Sequence, residues 1–353
     1  GLGISMADFP LSLSTLGEIY LKGGFNGYYY KFKTEGVLTT DAGKLSVDGE
    51  MAIPRNNTTP EYSGFVSATD FDLGTVLKQE NYIGKVTAEA QFTGKGFSLN
   101  KLYENAFLSI TKIELNHYTY QDININGTLD RKLFTGSINI NDKSIGLGFN
   151  GTIDLNKKIP VFDFKANIDN ANLLALNLYD KPAILRTGID INLSASNWNN
   201  ITGLLAINQL QLTTDKKQYN LNQVTLKADT GYGLQYLDLK SDIADLELQG
   251  KYDLPSILSA IKRTIKTYVP SYNLGEIGIV KEQNFSFVLA LKNTNPITEL
   301  FYPELNISGK NEIRGAFNTN TNELQFSGGI QKLVFNDFVF KDIIIDQENT
   351  SNR

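Results

Sequence analysis

Residues 120–168 read YQDININGTLDRKLFTGSININDKSIGLGFNGTIDLNKKIPVFDFKANI, in which apolar and polar residues alternate over most of the length. Near the end of the stretch, Phe162, Phe164, Ala166 and Ile168 alternate with Asp163, Lys165, Asn167 and Asp169. Successive side chains of a strand point to opposite faces, so such a run carries one apolar and one hydrated face. The same alternation recurs at Val86, Ala88, Ala90 and Phe92, and again at Ile189, Ile191 and Leu193. Asn26-Gly27, Asp48-Gly49, Asn126-Gly127 and Asn150-Gly151 are dipeptides that supply the positive φ of tight hairpin turns, and they are expected to punctuate the strands. The stretch therefore predicts an antiparallel meander. At about twelve to fourteen residues per strand and turn, the whole chain predicts roughly 25–29 strands.

Composition narrows the functional classes. The 353 residues include 41% hydrophobic and 20% charged, too apolar for a disordered tail, and 30 Gly against 9 Pro is unlike collagen. No run approaches the roughly 18 apolar residues of a membrane helix. The opening Gly1-Leu2-Gly3 shows no basic-then-apolar leader, and the chain reads as a piece of something longer. A net charge of −5 without a basic block argues against nucleic acid as a partner. With no cysteine, thiol catalysis, Cys-ligated zinc and disulfides are excluded. One histidine, His117, cannot build a His-cluster metal site and reads as a strand or turn residue beside Tyr118. No metal or cofactor is expected, and an enzyme is disfavoured.

Helices are expected to be few. Asp253-Leu254-Pro255 opens the best one, with Asp253 as N-cap; Leu254, Ile257, Leu258, Ile261 and Ile265 form its apolar stripe, and Pro270 ends it. Shorter ones are expected near residues 73–79, 173–178 and 297–302. Each of these three lies between two strands, which suggests an internal repeat with units at roughly 60–160, 160–270 and 280–346. No proline-rich linker separates them, so residues 1–353 read as one continuous segment without linker-bounded domains.

Motifs for chemistry are weak. Gly146-Leu147-Gly148-Phe149-Asn150-Gly151 matches a nucleotide-binding loop, but that loop must open a helix and here another strand follows. Gly3-Ile4-Ser5-Met6-Ala7 lacks the second glycine of a nucleophile elbow. Asp70-Phe71-Asp72 has no further acids at calcium-loop spacing. The triplet Tyr28, Tyr29, Tyr30 could stack on a sugar, though no paired acids accompany it. What remains is the architecture. An antiparallel sheet with one apolar face must cover it with a second sheet, close into a barrel, or curl into a groove that something else fills.

Leu16-Gly17-Glu18-Ile19, Gly24-Phe25-Asn26-Gly27, Phe32, Gly36, Leu38-Thr39-Thr40, Gly43 and Asp48-Gly49-Glu50-Met51 resemble the middle region of the TamB (translocation and assembly module) family, within the AsmA-like class. Phe71-Asp72-Leu73-Gly74, Ile83-Gly84-Lys85-Val86, Thr93-Gly94-Lys95-Gly96, residues 162–178 and the helix at 254–272 carry the same resemblance, which covers essentially residues 1–346. It implies an all-β fold, a long curled antiparallel β-sheet (a β-taco or groove) of repeated strand units with a few short helices. It further implies a periplasmic segment of an inner-membrane-anchored envelope protein that conducts phospholipid between inner and outer membranes. The anchor, and the contact with an outer-membrane barrel of the TamA/BamA class, would lie outside these residues. The alternative is a structural or chaperone scaffold for outer-membrane protein assembly without lipid conduction. The lining expected for the groove is Val86, Phe92, Ile138, Ile140, Leu147, Phe149, Phe162, Phe164, Ile168, Ile189, Ile191, Leu193, Phe285, Phe287 and Leu289.

Overall fold

The computed structural model describes residues 13–28, 30–53, 59–98, 100–197, 199–268, 270–271, 275–301, 304–336 and 338–347. Gly3-Ile4-Ser5-Met6-Ala7, Tyr29, Tyr272 and Tyr302 lie outside these described residues. The protein is nearly all β, with 19 strands in an antiparallel sheet. That is fewer than the strand count expected above, because most strands run 10 to 14 residues and helices and loops take up much of the rest. The chain divides into two compact units.

The first unit holds β1 (Ile19–Tyr28), β2 (Lys31–Thr40), β3 (Gly43–Ala52), β4 (Glu61–Asp72), β5 (Ile83–Lys95), β6 (Tyr103–Leu115), β7 (Tyr118–Asp130), β8 (Leu133–Asp142), β9 (Ile145–Asp154) and most of β10 (Val161–Asn172). From β1 to β9 each strand pairs antiparallel with the next, and β9 also pairs with β10. The meander expected over residues 120–168 is therefore present as β7 to β10. Its registers stack the apolar residues in rows across the strands. One row runs Leu38, Leu45, Ala68, Ala88, Ile110, Ile123, Ile140, Leu147. A second row, two positions further along the same face, runs Gly49, Gly64, Phe92, Ala106, Gly127, Gly136, Gly151.

That second row corrects the reading of the turns. Asn26-Gly27, Asp48-Gly49, Asn126-Gly127 and Asn150-Gly151 all lie inside strands. Within β3, β7 and β9 the glycine falls on the apolar face and the Asn or Asp on the other. The reason is space. At Gly151, φ is +148° and an added Cβ would sit 2.4 Å from both Asp163 O and Phe164 Cα. At Gly136 it would sit 2.3 Å from Asn126 O. The left-handed turn residues are elsewhere, as at Asn116-His117 between β6 and β7, with φ of 49° and 62°. His117 is thus an exposed turn residue.

The helical expectations hold in part. α1 (Leu73–Leu77) begins where the Asp72 carboxylate accepts from Thr75 N at 3.0 Å, and it ends at left-handed Lys78. Residues 173–178 form only a single turn rather than a helix. Asn172 Oδ1 caps it by accepting from Ala175 N at 3.1 Å, but Asn177 already turns left-handed at φ 57° and ends it. A 3-10 turn (Leu13–Leu16), α1 and this single turn supply Leu16, Val76 and Leu176 to the buried clusters, beside Phe71, Val86, Ile113, Ile145 and Ala171. These strand residues all lie toward the same ends of their strands, so one margin of the apolar face is sealed.

The second unit holds most of β11 (Ala183–Ala195) and β12 (Ile201–Thr214), then β13 (Gln218–Gly231), β14 (Leu234–Ser241), β15 (Ala244–Lys251), β16 (Asn284–Leu291), β17 (Leu305–Asn318), β18 (Glu323–Phe335) and β19 (Phe338–Gln347). From β13 onward each strand again pairs antiparallel with the next. A 3-10 turn (Leu254–Ser256) leads into α2 (Ile257–Tyr268), and α3 (Asn295–Phe301) joins β16 to β17. Asp253 caps as expected: its carboxylate accepts from Ser256 N at 3.1 Å, Asn199 Nδ2 at 2.6 Å and Lys281 Nζ at 2.8 Å. Burial alone would raise its pKa, but the hydrogen bonds from Lys281, Ser256 and Asn199 hold it below the ordinary carboxylate value.

The stripe of α2 is shifted from the expected one. Ala260 and Thr264 are fully buried, Ile257 and Ile265 pack with them, and Leu258 is 65% exposed. The sheet beneath presents Leu237, Leu248, Phe285, Phe317 and Leu324, bulky residues that leave room only for small side chains at the centre of the helix contact.

Three stability outcomes follow. Gly151→Ala should destabilise the protein by about 2 kcal/mol or more, because backbone atoms, not flexible side chains, occupy the Cβ position. Gly148→Ala, three residues away in the same glycine motif, meets nothing closer than Asn139 Oδ1 at 3.8 Å and should change stability by under about 0.5 kcal/mol. Thr264 is buried with a hydroxyl that has no hydrogen-bond partner, so Thr264→Val should stabilise by about 1 kcal/mol. Denaturant unfolding of the three variants checks all of this.

Candidate functional site

The apolar face of each unit is the candidate site. On β5, Val86, Ala88, Ala90 and Phe92 turn to this face while Lys85, Glu89 and Gln91 are exposed on the other. Ile138 lies opposite Phe149, and Ile140 opposite Leu147. The ring of Phe149 is 4.9 Å from that of Phe164 and 6.1 Å from that of Phe134. Phe162 and Ile168 share the alternation of Phe164 on β10, between exposed Asp163, Lys165, Asn167 and Asp169. The first unit thus brings together Phe92, Ile138, Ile140, Leu147, Phe149, Phe164 and Ile168, while Phe162, at the start of β10, falls in a stretch that belongs to the second unit. All are half-buried.

Val86 is different: it is 7% exposed in the cluster that contains Val76 of α1, so it belongs to the sealed margin. In the second unit Phe285, 5% exposed, is likewise packed in the cluster that includes Ala260 of α2, whereas Phe287 and Leu289 are half-buried. Phe287 lies opposite Leu248 and Gly315, and Leu289 opposite Leu246 and Ile313. Ile189, Ile191 and Leu193 are half-buried on β11.

Residues the sequence reading passed over complete the face. Leu108 and Ile125 lie opposite each other on β6 and β7, and Leu129 lies opposite Phe134. They obey the same period of two and could have been found by it. The face is most open on β1, where Leu21 is 75% and Phe25 62% exposed. On β19, Phe338 is 68% exposed. A half-buried Leu or Phe leaves roughly half of its 1.5–3 kcal/mol transfer free energy unrealised, so these rows retain a drive to bind apolar material.

The other face is polar. Lys112 Nζ lies 2.6 Å from Asp70, whose carboxyl its hydrogen bond and charge hold below the ordinary value. Asp70 and Asp72 therefore serve an ion pair and a helix cap. Lys240 bridges Asp238 and Glu247 at 3.2 and 2.8 Å, and Lys292 meets Asp245 at 2.6 Å. With their lysines at the surface, pairs of this kind contribute on the order of 1 kcal/mol each and chiefly keep the face polar. Gly146, Gly148 and Gly151 all lie within β9, with no helix following, so the geometry of a phosphate loop is missing there. Among the described residues, no three His, Cys, Asp or Glu side chains cluster as metal ligands, and no helix is long and apolar enough to cross a membrane.

Two carboxylates lie on the apolar face of β2–β9. Asp142, buried at the sealed margin, accepts hydrogen bonds from Tyr118 Oη, Gln121 N and Ser144 N. Glu104, near the opposite ends of the strands, receives one, from Tyr62 Oη at 2.6 Å. Burial raises the Glu104 pKa above its ordinary 4.5, against the opposing effect of the Tyr62 bond. Burial, then the neighbouring Glu104, pushes the Tyr62 hydroxyl upward as well. No protein family, curated protein or solved structure matches the chain.

The raised Glu104 pKa has a defined sign. The neutral carboxyl is favoured in the folded state, so its contribution is fully present below the unfolded pKa near 4.5 and is lost as pH rises through the higher folded pKa. The unfolding free energy of the wild type relative to Glu104→Gln should therefore fall across that window and level off above it. A difference independent of pH would show that Glu104 titrates normally.

Proposed function

We propose that the apolar face is a lipid-conducting surface, along which a phospholipid moves with its acyl chains on the aliphatic and aromatic rows and its headgroup toward water. The observation that carries this reading is the continuous set of half-buried apolar rows on one face, Phe92 to Phe164 in the first unit, opposite a charged and amide-rich face. Each methylene kept from water gains about 0.8 kcal/mol, and unbroken rows let a chain advance without losing that gain at any step. The task requires no catalytic residue and no cofactor. The sequence resemblance to the TamB family supports placing the segment in the periplasm, between an inner-membrane anchor and an outer-membrane barrel of the TamA/BamA class engaged by parts of the chain outside these residues.

The alternative is a scaffold for outer-membrane protein assembly, without lipid. The ten exposed residues of β1, Leu21 and Phe25 among them, favour it, because exposed apolar side chains can receive those of an unfolded chain.

Photo-crosslinkers at Phe164 and Ile191 should capture phospholipid in cells, and those at Lys165 and Asn192 should not. Equal labelling of both faces, or none on either, would rule out the lipid surface. Phe164→Asp should abolish lipid capture at near-normal protein level, since a carboxylate on an open face can hydrate. On a closed core the same change would bury an unpaired charge at a cost of several kcal/mol, and the protein would be degraded instead.

A further inference from the structure

Glu104 sits in a row that otherwise carries no charge. Across the apolar face the registers place Phe32, Met51, Tyr62, Gly94, Glu104, Leu129, Phe134 and Ile153 in line. A carboxylate in such surroundings is costly unless donors surround it. Asp142, on the same face, has three. Glu104 has one, and that one is shared: Tyr62 Oη carries a single hydrogen and lies 2.6 Å from Glu104 Oε2 and 2.9 Å from Gly96 O. The cluster has two acceptors competing for one donor. Because Glu104 is half-buried, its remaining acceptor positions stay accessible to a further donor.

The space around it is shaped for the carboxylate. Gly94 lies directly opposite Glu104, and a Cβ there would come 2.4 Å from Glu104 Oε2. The Tyr62 ring is stacked on Phe97 at 5.1 Å, and Phe92 meets it edge-on at 6.0 Å. Three aromatic rings beside an under-donated carboxylate and a backbone carbonyl suit one kind of visitor: a compact cation with several N–H donors. Its hydrogens would satisfy Gly96 O and the free positions of Glu104 while its charge met the carboxylate and the ring faces.

We propose that Tyr62, Glu104 and Gly96 O form a subsite for a primary ammonium group, and that the ammonium is that of an ethanolamine-type lipid headgroup. The subsite rests on the lipid-conducting reading and gives it a substrate class. It lies away from the margin sealed by α1, where a headgroup can remain hydrated while its chains lie on the neighbouring rows. An anionic glycerol headgroup has no donor of comparable strength to offer, and it brings a negative charge toward Glu104.

Native mass spectrometry of the full chain tests this. The protein is mixed with equimolar phosphatidylethanolamine and phosphatidylglycerol of identical acyl chains, with chain-free glycerophosphoethanolamine as a third probe. The wild type should carry the ethanolamine lipid over the glycerol lipid by about tenfold and should not retain the chain-free probe. Glu104→Gln should carry the same total lipid without preference. Its amide can donate to Tyr62 Oη and free the Tyr62 hydrogen for Gly96 O, so the variant should melt at or above the wild-type temperature at pH 7. Equal loading of both lipids on the wild type would overturn the subsite and leave the lipid surface standing. Loading of neither lipid would overturn both. Retention of the chain-free probe as well as the lipid would assign the subsite to a soluble amine and overturn the headgroup proposal.

Discussion

Antiparallel pairing between successive strands locks the alternation of side chains into faces, and the rest of the structure depends on that lock. Because the period is two, a slip of one residue in any register would move a strand's apolar set to the wet side. The registers from β2 to β5 hold Leu38, Leu45, Ala68 and Ala88 in one line on the same side, and nearly all the charged residues opposite. The consequence is an apolar face too large for the short helices to hide. In the first unit the 3-10 turn, α1 and the turn after β10 seal one margin. In the second, α2 covers the rows around Phe285 and Phe317. Beyond these, the rows stay half-buried.

Glycine gives that face its relief. Gly127, Gly136 and Gly151 adjoin one another on β7, β8 and β9, where the neighbouring backbone occupies the place of a Cβ. Aromatic rings lean over such gaps in both units. Phe134 Cε2 lies 2.9 Å from where a Cβ of Gly127 would be, and ring carbons of Phe287 lie 3.0 Å from that of Gly315. An aromatic ring over a missing side chain keeps the backbone there covered.

The buried and half-buried carboxylates differ in how fully they are supplied with hydrogen-bond donors. Asp142 and Asp253 are saturated with donors and hold a strand turn and a helix start. Glu104 instead competes with Gly96 O for the one hydrogen of Tyr62 Oη. Sequence reading overlooked it because alternation counts treat a lone Glu in an apolar position as noise.

The local pattern by itself determined the fold class, the sides of the strands and most of the face. Val86, Phe92, Phe164, Ile191 and Phe287 were legible because period-two alternation is a property of the strand backbone and needs no tertiary partner. The N-cap at Asp253 was legible for a similar reason, since a carboxylate before a first-turn proline acts within one helical turn. The function of the Asn-Gly and Asp-Gly pairs was decided only in three dimensions. The same dipeptide suits a hairpin turn or a crowded strand crossing, and only the approach of the neighbouring strand selects between them. Which apolar residues are sealed and which stay open was also decided there, because Val86 and Phe92 look alike in sequence and differ only in the presence of α1 above one of them. The pairing of Tyr62 with Glu104 joins residues 42 positions apart, and registers across three strands, not any local motif, bring them together.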